Sequence, residues 1–307
     1  MSLRVNLLDL PVGSAYQRMT FPHYRSRLEA PSPRTVALAA HLNGEPVGLA
    51  LAEIVSPRAA QLDSLYVVEA QRRNGIAARL ISQLEEELRQ RDCWKVMAVY
   101  ATGGSSVPAL ERLVARFGWT PPTPRSLIIK VSQPEMAADD RYQAMGDLEP
   151  PFSICAWNEV TEQQREQLRQ SQREGGWIPP ELDPFRSEEG ADLRTSVALL
   201  HRNEVVGWII NHERDPETSR ATCAWVREDL QRTPAGARPL VALGREAGRR
   251  RLAVGQRYVI WVVNFTQPKM ARFTERWYAP YAVSKQETRY TEGELQCPDR
   301  SGRPKRA

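Results

Sequence analysis

A faint internal repeat is the feature that most constrains this chain. Val36-Ala37-Leu38 leads through His41, Asn43 and Gly44 to Val47-Gly48. Val197-Ala198-Leu199 leads through His201 and Asn203 to Val206-Gly207. Each stretch reads as two strands around a polar turn. Val67 follows Gly48 by 19 residues, and Val226 follows Gly207 by the same 19. Landmarks kept in register over such a length predict one architecture built twice. A chain of 307 residues has room for two domains.

The first copy carries a segment with a chemical meaning. Residues 61–68 are rich in Leu, Tyr and Val and read as a strand. Ile76, Leu80, Ile81, Leu84 and Leu88 recur at helical spacing and give one apolar face. Arg79, Gln83, Glu86 and Arg89 fall on the opposite face, and Glu85–Arg89 and Glu87–Arg91 are favourable i,i+4 pairs. Between strand and helix lies Arg72-Arg73-Asn74-Gly75-Ile76-Ala77. Asn74 and Gly75 tolerate tight turning, and Ala77 keeps the backbone approachable. The positive end of the helix follows at once, and Arg72 and Arg73 add donors that fork onto phosphate oxygens. The segment reads as a pyrophosphate cradle.

Together, Leu65-Tyr66-Val67 and the loop Arg72-x-x-Gly75-x-Ala77 resemble the acyl-CoA-binding motif of the GNAT superfamily of N-acyltransferases. The resemblance is specific over residues 61–81 and weak over 197–280. It implies two tandem α/β (α+β) domains, each a twisted, mixed, mostly antiparallel sheet flanked by helices. It also implies acetyl-CoA or another acyl-CoA as co-substrate. The backbone of Leu65, Tyr66 and Val67 would line the pantetheine arm, and Arg72, Arg73, Asn74, Gly75, Ile76 and Ala77 would hold the pyrophosphate. The implied reaction is direct attack of an amine, on a small molecule or a protein, on the thioester.

That reaction needs a base, and Asp63 and Glu53 are the carboxylates on the binding strand and the strand before it. Strand alternation puts Asp63 on the face of Leu65 and Val67. The family's tyrosine acid would fall at Val114, so Tyr100 at the end of the fifth strand is the substitute. Tyr278 is near the corresponding place in the second copy. Adding 159 to the loop positions gives Gln231, Pro234 and Gly236. Proline removes an N–H and fixes φ, which weakens the second cradle.

Both copies continue alike. Residues 95–100 read as a strand, followed by a helix from about Pro108 to Arg116; Tyr258–Val263 precedes a helix through Met270, Phe273 and Trp277. A strand is expected near Phe152–Ala156, and Thr161 with Gln164 forms a capping-box pattern. The expected division is a GNAT domain with intact loop over 1–132, a linker over 133–150, a degenerate GNAT-like domain over 151–296 and a basic, disordered tail over 297–307.

Composition narrows the class. Hydrophobic content of 41% with 26% charged residues fits a globular chain, and no apolar run is long enough for a membrane span. Four scattered cysteines and four histidines without ligand spacing argue against disulfides and metal, and a cytoplasmic location is expected. The net charge of +5 is spread along the chain, which disfavours nucleic acid as a partner. The sequence sets no expectation for oligomeric state. Two alternatives to the enzyme stand: a non-catalytic acyl-CoA sensor or interaction module, motivated by Val114, and a nucleic-acid-binding protein, motivated by the arginines of the loop and tail.

Overall fold

A computed structural model describes residues 2–30, 32–145, 147–231 and 237–295. Pro234 and Gly236 of the second loop, Cys297 and the basic tail lie outside the described residues.

The chain divides into two compact units. One runs to Pro124 and resumes at Thr288; the other is Arg125–Glu287. In the first, the strands β1 (Leu3–Leu7), β2 (Thr35–Leu42), β3 (Glu45–Ser56), β4 (Ala59–Val67) and β5 (Lys95–Ala101) are neighbours in that order. Short helices α1 (Ser14–Gln17) and α2 (Ser26–Glu29) precede β2. Helix α3 (Ile76–Gln90) joins β4 to β5, and α4 (Val107–Arg116) follows β5. Pairing is antiparallel except between β4 and β5.

The second unit repeats this plan. It contains β6 (Thr123–Ser132), α5 (Gln133–Ala138), α6 (Asp140–Met145), β7 (Phe152–Ala156), α7 (Glu162–Gly175) and β8 (Val197–His201). Then come β9 (Glu204–Asp215), β10 (Thr218–Val226), α8 (Glu228–Gln231), α9 (Arg238–Ala253), β11 (Tyr258–Asn264) and α10 (Pro268–Trp277). Strand β12 (Ala282–Glu294) is the last element among the described residues. β7 to β11 are neighbours in order, and only β10–β11 is parallel.

The last strand of each unit departs from the expected division. β6 pairs with β11 in the second unit, and residues 288–294 of β12 pair with β5 in the first. The copies have therefore exchanged their final strands, and the first unit is not a continuous stretch of chain. β5 and β11 are repeats of one another and offer equivalent free edges, so strand propensity alone does not say which edge each final strand takes. The expected linker also differs. Residues 133–145 form α5 and α6, each too short to show a period, and bury Met136 and Tyr142 in the second core.

The repeat is exact in backbone detail. Each hairpin turns on two residues of positive φ, Asn43-Gly44 and Arg202-Asn203, as two-residue loops with the strand's own twist require. Gly48 pairs with Val67, and Gly207 with Val226. A Cβ on Gly48 would stand 3.0 Å from the Tyr66 carbonyl oxygen, and one on Gly207 2.9 Å from that of Trp225, so both glycines permit close strand approach. Helix α3 buries Ile76, Leu80, Ile81, Leu84 and Leu88, the face its spacing defines. Glu85 pairs with Arg89 at 3.3 Å, whereas Arg91 donates to the Pro33 carbonyl in place of Glu87. The Thr161–Gln164 capping box forms at the start of α7. No helix among the described residues is long and apolar enough to cross a membrane.

Candidate functional site

The site is built where β4 parts from β5. The parallel ladder joins Ala59 to Leu62 with Lys95 to Ala98 and goes no further. Beyond it, Leu65, Tyr66 and Val67 keep their pairing to β3, but their edge towards β5 is left without a strand.

At the same end of β4 the loop opens. Arg72, Arg73, Asn74 and Gly75 are exposed, Ile76 is buried as the first residue of α3, and Ala77 is half-buried. Arg73 and Gly75 both take positive φ, at 66° and 75°. Gly75 is the N-cap of α3 and no side chain caps the helix, so its first N–H groups face the loop. Such a turn ahead of a 15-residue helix concentrates positive potential where an anion would sit. Arg72 donates from Nε to the Val67 carbonyl at 3.2 Å, which anchors its fork beside β4. The second unit repeats that anchor with a shorter arm, Gln231 Nε2 donating to Val226.

A bulge sits at the parting point. In the β3–β4 register Leu62 faces Ala52 and Ser64 faces Leu51, so Asp63 is an extra, unpaired residue. This corrects the expectation from simple alternation. Leu65 and Val67 pack with the α3 core, while Asp63 turns to the other face with Gln61 and α2. The side chain of Asp63 is fully buried, with Gln61 donating to one oxygen at 2.9 Å and Arg27 to the other. Arg27 also pairs with Glu53 at 2.5 Å, and its guanidinium lies 4.8 Å from the centre of the Tyr24 ring. One cation thus gathers both candidate carboxylates. Glu53 is the more accessible of the two, with 27% of its side chain exposed. Arg27 was not foreseeable from spacing, since it lies 26 and 36 residues from its partners on a helix of four residues.

Tyr100 sits on β5 past the last β4 rung, but its hydroxyl is committed. It donates to Glu111 on α4 at 2.9 Å, and Glu111 also takes Arg289 of β12 at 2.8 Å. Burial first, and then the bond to Glu111, push the phenol well above its usual pKa. Val114 is fully buried in the apolar core.

The second unit diverges at the equivalent positions. Thr222 is the unpaired bulge residue of β10, 159 positions after Asp63. His212, 159 after Glu53, meets it directly at 2.9 Å. Where the first ladder ends at Ala98, the second ends at Trp261. Trp261 is buried and stacks on Tyr278 with ring centres 4.8 Å apart.

Comparison with known proteins agrees with this geometry. Residues 5–119 match the model of the Acetyltransferase (GNAT) family. The fold of the whole chain is that of a tandem GNAT protein. A tandem GNAT protein from the clavulanic acid biosynthesis pathway is similar over 96% of this chain and 99% of its own, with 15% identity and a TM-score of 0.63. A GCN5-related N-acetyltransferase from Sphaerobacter thermophilus is similar over 90% of this chain and 85% of its own, with 16% identity and a TM-score of 0.61. No curated protein matches the chain in sequence.

Proposed function

We propose that the first unit is an N-acyltransferase that binds acetyl-CoA and passes the acetyl group to an amine. The observation that carries this reading is the conjunction at one end of β4. The ladder to β5 stops at Leu62, leaving an edge for pantetheine, and the open loop 72–77 caps α3 beside it. Pantetheine amides can bond to a free strand edge as an added strand does, and pyrophosphate suits the helix end.

In this reading Glu53 is the base. It is the exposed member of the carboxylate pair, and Asp63 holds Arg27 in place from beneath. The acceptor ammonium gives a proton to Glu53, and the neutral amine attacks the thioester carbonyl. A β4 backbone N–H beyond the bulge steadies the oxyanion. The carbon–sulfur bond then breaks, the new amide nitrogen sheds its extra proton to water, and the thiolate takes a proton back from water. A thiol of ordinary pKa is a tolerable leaving group without a side-chain acid. Tyr100, tied to Glu111, is not needed as one.

Thiol release with an amine panel tests the reaction, and calorimetry tests binding. Glu53→Gln is expected to lower kcat by about 100-fold, within the range of base catalysis, with acetyl-CoA affinity unchanged. Tyr100→Phe is expected to change kcat less than about threefold, since its hydroxyl serves Glu111. Full activity in Glu53→Gln would remove Glu53 from this role. Saturable acetyl-CoA binding with no thiol released by any amine would favour the second reading, a non-catalytic acyl-CoA sensor, which the buried Val114 motivates.

The second unit has no equivalent opening in this reading, because Trp261 stands where Ala98 leaves room. Acetyl-CoA should bind at one equivalent per chain; calorimetry giving two would show that the second slot is open.

A further inference from the structure

The second unit buries a set of hydrogen-bond donors with nothing to accept from them. Arg251 and Tyr278 are 1% exposed and Tyr142 is 2% exposed. Among the described residues, Arg251 Nε, both tyrosine hydroxyls, Trp261 Nε1 and Thr274 Oγ1 have no partner. The remaining Arg251 nitrogens reach only amide oxygens, Gln133 at 3.2 Å and Asn211 at 2.5 Å. Among the described residues, no carboxylate lies within ion-pair distance of Arg251. Asp192 feels its charge, but its oxygens are taken by Arg194 and Gln256. A buried cation without a counter-charge is costly, and so is each unmet donor.

These groups share one place. Gly244, Gly248 and Arg251 follow one another on one side of α9 at i, i+4 and i+7. A Cβ on Gly244 would stand 2.7 Å from the Tyr278 hydroxyl and 2.9 Å from that of Tyr142. A Cβ on Gly248 would stand 2.7 Å from the Gln133 oxygen that Arg251 also reaches. The two tyrosine hydroxyls lie close enough to act on each other, but the geometry between them falls short of a formed hydrogen bond. A groove of about 440 Å³ between α5, α6 and α9 is lined by Gln133, Tyr142, Gly244 and Gly248, among them the residues that stand directly against Arg251 and the Tyr278 hydroxyl.

We propose that the second unit binds a compact oxyanion, a carboxylate or inorganic phosphate, against Arg251, Tyr142 and Tyr278 through this groove. A carboxylate accepts hydrogen bonds and donates none, and inorganic phosphate offers mostly acceptor oxygens, which is what a cage of unmet donors lacks. Burial lowers the Arg251 pKa to about 10, so the cation persists at neutral pH. Burial raises both phenols, so they remain donors. The site is separate from the acyl-CoA loop of the first unit and does not depend on it.

The test is calorimetry and tryptophan fluorescence with inorganic phosphate and, separately, acetate, in a Gly75→Glu background that silences the first-unit loop. Trp261, stacked on Tyr278, provides the optical signal. Saturable binding is expected for one or both, and the stronger ligand identifies the source. Arg251→Met should weaken it at least about tenfold, as loss of a charge-assisted bond does. Tyr142→Phe and Tyr278→Phe keep the rings and should each weaken it about threefold or more. These two variants carry the test if Arg251→Met does not fold. Absence of saturable binding for both anions, or affinities unmoved by all three substitutions, would overturn the proposal.

Discussion

Gly75→Glu is expected to reduce acetyl-CoA affinity by at least about 100-fold, roughly 3 kcal/mol, while leaving the fold intact. The two halves of that expectation have separate causes. A Cβ on Gly75 would meet nothing within 4 Å, so no packing is disturbed. The residue holds φ at 75°, and a side chain there costs about 1 kcal/mol in the left-handed region. The carboxylate itself would occupy the anion position at the N-terminus of α3 and repel pyrophosphate. Arg72→Glu should act in the same direction by reversing the charge of the fork anchored at Val67. Thermal melts with calorimetry separate the outcomes. Unchanged affinity with either variant would refute the cradle, and a collapsed melt with Gly75→Glu would mean that the glycine serves the fold.

The loop was legible because its chemistry is local. Gly75, the helix start and the apolar face from Ile76 to Leu88 all lie within one strand–loop–helix, where period and composition speak directly. The repeat was legible for a similar reason, since Gly48 and Gly207 each serve a close approach within one hairpin partner pair. The bulge was not legible. Asp63 and Ser64 are both polar, and an extra residue between them shifts the alternation without leaving a mark in the pattern. Arg27 was hidden differently. It reaches Glu53 and Asp63 by folding of a four-residue helix that has no period to read. At Trp261 the obstacle was the interpretation of an apolar strand residue. Its size matters only because it stands on the last rung of the β10–β11 ladder.

Strand exchange gives the second large expectation. Gly293 lies in β12, paired with Val96 of β5, and is part of the first unit. A Cβ there would stand 2.4 Å from Trp119 Nε1 and 2.5 Å from its Cδ1. Trp119 cannot yield easily, because it is 4% exposed and its Nε1 donates to Glu85 at 2.9 Å. Gly293→Val therefore overpacks the first unit and breaks the indole's bond, at a cost of about 3–5 kcal/mol when strain and an unmet donor are combined. For a unit of this size that corresponds to a melting temperature lower by roughly 10 °C. The acyl-CoA-binding unit would thus be destabilised by a change near the end of the chain. Acetyl-CoA, which binds only that unit in the proposed reading, should restore part of the loss by mass action. Hydrogen exchange resolved by segment checks the assignment. Faster exchange is expected in β5 and α3, with β8 to β11 little changed. The reverse pattern would show that residues 288–294 belong to the second unit instead.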